Sequence, residues 1–135
     1  DLPRGRAEGV ILAQGGRFAG WSLYVTGGKL AFAYNWVGVQ TYTITAPRAL
    51  PTGHVTVRFE FQYEGGGPGR GGTGILFVGD QEVARGNIAH TVAMAFSGDE
   101  SADVGVDTGT AVTSAYRERE NAFTGTIRQV TIETH

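Results

Sequence analysis

Residues 21–36 read WSLYVTGGKLAFAYNW. Trp21, Leu23 and Val25 alternate with Ser22, Tyr24 and Thr26. Beyond them, Leu30, Phe32, Tyr34 and Trp36 alternate with Lys29, Ala31, Ala33 and Asn35. Successive side chains of an extended chain point to opposite faces, so each run reads as a strand with one large apolar face. Gly27-Gly28 lies between them. Two adjacent glycines accept positive φ at both central positions of a tight turn, and that turn matches the twist of paired strands. The stretch is therefore expected to be a β-hairpin.

The same period of two extends outward. In residues 54–63, Val55, Val57, Phe59, Phe61 and Tyr63 alternate with His54, Thr56, Arg58, Glu60 and Gln62, which gives one apolar and one wet face. Residues 41–45 bury Tyr42 and Ile44 and present threonines. A second hairpin is expected around residues 78–83, VGDQEV, and further strands at residues 9–13, 74–78, 92–96, 103–106 and 124–134. The last of these needs a β-bulge at Arg128-Gln129 to keep Ile127, Val130 and Ile132 on one face. Sustained 3.6-residue periodicity occurs nowhere; residues 114–121 have room for one helical turn. Many short strands with glycine-rich turns predict an all-β, antiparallel two-sheet β-sandwich or jelly roll, concanavalin A-like in type. Its two apolar faces would close on each other about 10 Å apart.

Composition agrees. The chain has 135 residues, the length of one domain, and 41% are hydrophobic, enough for a core. Glycine numbers 22, about twice the usual share. A net charge of −2 gives no basic footprint for nucleic acid. No apolar stretch is long enough to span a bilayer, and residues 1–7 carry no signal-peptide pattern. With no cysteine, disulfides, thiolate metal sites and cysteine nucleophiles are excluded. The chain opens on Asp1 rather than methionine, so a processed or excised piece of a longer protein is expected.

Residues that bear chemistry are few. Residues 65–72 read GGGPGRGG and contain a formal G-x-G-x-x-G, but a strand rather than a helix is expected to follow, so the phosphate-binding reading lacks its helix N-terminus. Glu60, Gln62 and Glu64 share one strand face, where two carboxylates would suit glycoside hydrolysis. The central position is an amide, and the plainer reading is the solvated face of an amphipathic strand. Asp99, Glu100, Asp103 and Asp107 offer hard oxygen ligands, yet their spacing fits no EF-hand loop and turns favour aspartate. His54, His90 and His135 form no metal-binding pair. Trp21, Tyr34, Trp36 and Tyr42 read as core rings, with Trp36 and Tyr42 the candidates for stacking a carbohydrate.

Residues 8–35, EGVILAQGGRFAGWSLYVTGGKLAFAYN, are similar to the C-terminal accessory domain of bacterial arylsulfatases of the large, multidomain type. Ordered blocks extend the resemblance over nearly the whole chain: residues 50–54 (LPTGH), 58–63, 65–74 (GGGPGRGGTG), 76–86 (LFVGDQEVARG), 97–112 (SGDESADVGVDTGTAV) and 121–134 (NAFTGTIRQVTIET). The family's domain usually begins with one more strand than precedes Glu8 here, which implies an open sheet edge. The resemblance implies a non-catalytic domain without cofactor or metal of its own, beside a sulfatase catalytic domain. The family's nucleophile stands in a C-x-P-x-R-like motif, and neither that nor S-x-P-x-R occurs here. The expected work is packing on the catalytic domain, shaping its cleft or supporting self-association, with residues 65–73 and 97–112 as contact loops and Arg70, Asp103 and Asp107 as contact residues. A carbohydrate-binding module and a glycoside hydrolase using Glu60 and Glu64 are the alternatives. Compartment is left open.

Overall fold

The computed structural model describes residues 1–63, 70–91, 102–118 and 120–133. These residues form an all-β sandwich of two antiparallel sheets and contain no helix. The first sheet is β1 (Gly9–Gly16), β2 (Ala19–Thr26), β3 (Lys29–Trp36) and β4 (Gln40–Thr45), a meander in which each strand pairs with the next. β8 (Ala102–Val104) adds to the free side of β1. The second sheet is β5 (Val57–Tyr63), β6 (Arg70–Val78) and β7 (Gln81–His90).

The 21–36 hairpin forms as expected. Thr26 pairs with Lys29, and Gly27 and Gly28 turn the chain at φ +58° and +78°. Register then sorts the side chains. Leu23 faces Phe32, and Phe32 faces Ile44, so one surface of the sheet carries large apolar groups. That surface packs on Val57, Phe59, Leu76 and Ile88 of the second sheet. The Phe32 and Phe59 rings stack with centroids 3.6 Å apart and planes at 7°. Ile44 fits against Gly74 and Gly86, where added Cβ atoms would stand 2.7 and 2.9 Å from its side chain. Bare backbone at these two points lets the sheets meet; each fully buried aliphatic or phenyl group contributes about 1.5–3 kcal/mol. On β4 the alternation also holds: Ile44 is buried while Thr41, Thr43 and Thr45 face water.

The opposite surface of the first sheet is covered as well, which alternation alone did not indicate. Val10, Ala13, Tyr24, Ala31 and Ala33 form a second buried cluster, closed by Tyr116. Its lid is the irregular chain that follows β8. Val10 N–H donates to Asn121 O at 2.8 Å, and Gly105 N–H to Ile11 O at 2.8 Å. The residues beneath are mostly small, so a chain without regular structure can lie close.

Several boundaries move. β1 runs three residues beyond the expected 9–13, and β8 is Ala102–Val104 rather than 103–106. Residues 114–121 make turns, not a helical turn, among the described residues. The expected strand at 124–134 is corrected: residues 124–133 join no ladder, so there is no bulge at Arg128-Gln129. Instead Thr124 N–H donates to Glu8 O at 2.9 Å and Thr126 N–H to Asp1 O at 2.9 Å, leaving Ile132 largely exposed. Phe61, expected inside, is 38% exposed at the far end of β5. The expected strand at 92–96 and the G-x-G-x-x-G glycines Gly67 and Gly69 lie outside the described residues.

Candidate functional site

Among the described residues, those singled out for chemistry do not converge. Glu60 lies on the outer face of the second sheet, where Arg58 Nε approaches its Oε1 at 3.2 Å. Its register partner there is the buried Ile75, and the Arg58 guanidinium lies 4.2 Å over the Phe77 ring. This is an amphipathic strand face with paired charges; Glu64 is outside the described residues. Trp36 and Tyr42 both pack against the main core. The Trp36 ring stacks on His90 with centroids 4.6 Å apart, so one side of the candidate sugar platform is already occupied.

Asp103 and Asp107 brace the chain that covers the first sheet. Asp103 Oδ2 accepts from Thr108 N–H at 3.0 Å and from Thr108 Oγ1 at 2.6 Å. Asp107 is 1% exposed. Its Oδ2 accepts from Val112 N–H at 3.1 Å and from the Tyr116 hydroxyl. Asn121 closes the same loop, its Oδ1 accepting from Asp107 N–H at 2.7 Å while its Nδ2 donates to Asp107 O and Arg117 O. Burial, then the bond to Asp107, pushes the Tyr116 phenol far above its ordinary range. Asp99 and Glu100 fall outside the described residues. Arg70 is exposed at the start of β6, and its carbonyl accepts from Thr91 Oγ1 at 2.6 Å. No group of three or more His, Asp or Glu side chains that could hold a metal ion occurs among the described residues. Nor is any helix there long and apolar enough to cross a membrane.

A feature that sequence reading missed lies at one end of the first sheet. Asn35, at the edge of a strand and buried, donates through Nδ2 to Arg17 O (2.8 Å) and Val112 O (3.0 Å) and accepts from Gly38 N–H through Oδ1 (2.9 Å). One amide thereby ties together the β1–β2 turn, the β3–β4 turn and the covering loop. In the β3–β4 turn, Val39 N–H donates to Trp36 O at 2.9 Å, and Val37 stands at φ +47°. A β-branched residue at positive φ is strained by about 1–3 kcal/mol and persists only where its surroundings over-determine it. Apolar groups stand outside here: Phe18, Val37 and Val39 are 69%, 45% and 74% exposed on the two neighbouring turns. A polar residue at the end of an alternating run, next to a turn, was the available signal for Asn35. Asparagine accepts positive φ far better than valine, so Val37→Asn should stabilise the fold by about 1 kcal/mol, read as a higher urea midpoint at unchanged slope.

No protein-family model, curated protein or solved structure matches this chain.

Proposed function

We propose that this chain is a non-catalytic accessory domain of an arylsulfatase-like sulfate-ester hydrolase, which works by packing on the catalytic domain. The observation that carries the contact role is the rigid, exposed apolar end of the first sheet, Phe18, Val37 and Val39, held by the buried Asn35 amide. Exposed apolar groups gathered on one surface favour a protein interface, and a pre-ordered surface loses little entropy on docking. The sulfatase assignment rests on the sequence resemblance.

Two measurements test this reading. The purified chain should show no turnover of an aryl sulfate; turnover by this chain alone would refute a non-catalytic role. In the reading frame upstream of Asp1, a C-x-P-x-R-like motif is expected, and a long upstream sequence without one would remove the sulfatase assignment. In that longer protein, Phe18→Lys with Val39→Lys should speed limited proteolysis between the two units. Unchanged cleavage would move the contact elsewhere.

A further inference from the structure

We propose that the recess between the N-terminal segment and the Gly27-Gly28 turn binds a tetrahedral oxoanion, a sulfate or phosphate group carried on a compact organic molecule. The recess is a half-open hollow of about 330 Å³, at the small end of the range of small-ligand sites. Arg4 and Arg6 line one wall, and Gly28, Ala49, Leu50 and Pro51 the others. A Cβ on Gly28 would stand 3.4 Å from Arg6 Cγ and 3.5 Å from Ala49 Cβ, so the Arg6 stem lies across the turn. The walls are tied to one another through backbone. Gly28 N–H donates to Ala7 O (3.2 Å), Leu50 N–H to Gly28 O (2.8 Å), and Leu2 and Gly53 exchange bonds of 2.8 and 3.1 Å.

Charge singles this recess out. Arg17, Arg58, Arg85, Arg117 and Arg128 each sit on a carboxylate. Among the described residues none lies within ion-pairing distance of Arg4 or Arg6, nor of Lys29 and Arg48, which adjoin the lining in sequence. The nearby acids are engaged elsewhere: Glu8 Oε1 accepts from Gly27 N–H at 2.6 Å, and Asp1 holds Arg128 and His54. Two cations with no counter-ion among the described residues, Arg4 and Arg6, thus line one recess in a chain of net charge −2. Guanidinium groups present planar forks of donors that match the oxygens of sulfate and phosphate, and the apolar wall suits the organic part. The inference stands independently of the sulfatase reading.

The test is titration of the intact, ¹⁵N-labelled chain with sodium sulfate, sodium phosphate and sodium chloride at constant ionic strength, followed by NMR. Saturable shifts at Gly5, Arg6 and Gly28 are expected with sulfate, phosphate or both, and whichever binds names the ester class. Arg4→Gln or Arg6→Gln should weaken binding about tenfold or more, while Arg70→Gln, on the other sheet, leaves it unchanged. All three arginines are exposed, so the variants should fold, and matching spectra elsewhere check this. An equal response to chloride, or a doubly substituted Arg4→Gln, Arg6→Gln chain that binds like the parent, overturns the proposal.

Discussion

Gly9→Ala is expected to destabilise the protein by about 2–6 kcal/mol, of which about 1–3 is backbone strain and about 1–3 is steric. Gly9 stands at φ +103°, a conformation closed to alanine at low energy. Its new Cβ would press on the carbonyl of Ala122 and stand 2.8 Å from Asn121 O. Both obstacles are backbone and cannot swing aside. They also hold the covering chain down: Val10 N–H donates to Asn121 O, and Val10 forms a parallel bridge with Ala122. The protein must either keep the clash or lift the chain from Tyr24, Ala31 and Ala33. Urea denaturation should give a much lower midpoint, and amide exchange at Val10 and Asp107 should accelerate. Gly5→Ala is the control, with nothing within 4 Å of its Cβ and no positive φ. Equal midpoints for the two variants would mean that the covering chain does not seat on β1 as described.

The difference between what the sequence disclosed and what it hid follows from that second buried surface. Alternation identifies a face when its residues contrast in size and polarity. Leu30, Phe32 and Tyr34 against Ala31, Ala33 and Asn35 placed the main core correctly, and the glycine pair placed the hairpin. Small residues on the other face read as neutral, although Ala31 and Ala33 are fully buried. The segment that buries them has no period to detect, because its backbone bonds go to side chains and single carbonyls rather than to a ladder. Asp107 looked like an ordinary turn residue for the same reason: a local pattern cannot tell an aspartate that closes a solvated turn from one folded beneath it. Residues 124–133 show the converse error. Ile127, Val130 and Ile132 suggested a strand, but their neighbours' amides meet Asp1 and Glu8, contacts between chain ends that no local window contains. Trp36 and Tyr42, read as core rings from their size and phase, are partly buried and pack against the core; the exposed turn of Val37 was not legible, because a β-branched residue at positive φ runs against propensity.

Removing the Asp107 carboxylate should have the other large effect. Asp107→Ala leaves the buried Val112 N–H and the partly buried Tyr116 hydroxyl without their acceptor, and each such loss costs about 1–3 kcal/mol, or roughly 2–6 together. Asp107→Asn keeps the shape and one acceptor oxygen, so about half that loss is expected. Tyr116→Phe removes a donor while the ring still packs edge-on against Tyr24, at 5.3 Å and 73°; about 1–2 kcal/mol should go. The hydroxyl also sets the alkaline limit. Tyr116 and Tyr24 both hold their protons above the ordinary tyrosine range, chiefly because burial penalises the phenolate. The unfolded chain releases these protons near pH 10, the folded chain only higher. Their contribution is therefore complete below about pH 10 and is lost as pH rises above it. Each withheld proton steepens the loss by about 1.4 kcal/mol per pH unit. Urea midpoints from pH 8 to 11.5 should fall steeply above pH 10 in the parent chain, and about half as steeply in Tyr116→Phe. An identical alkaline limb in the two proteins would show that the Tyr116 hydroxyl is open to water rather than closed on Asp107.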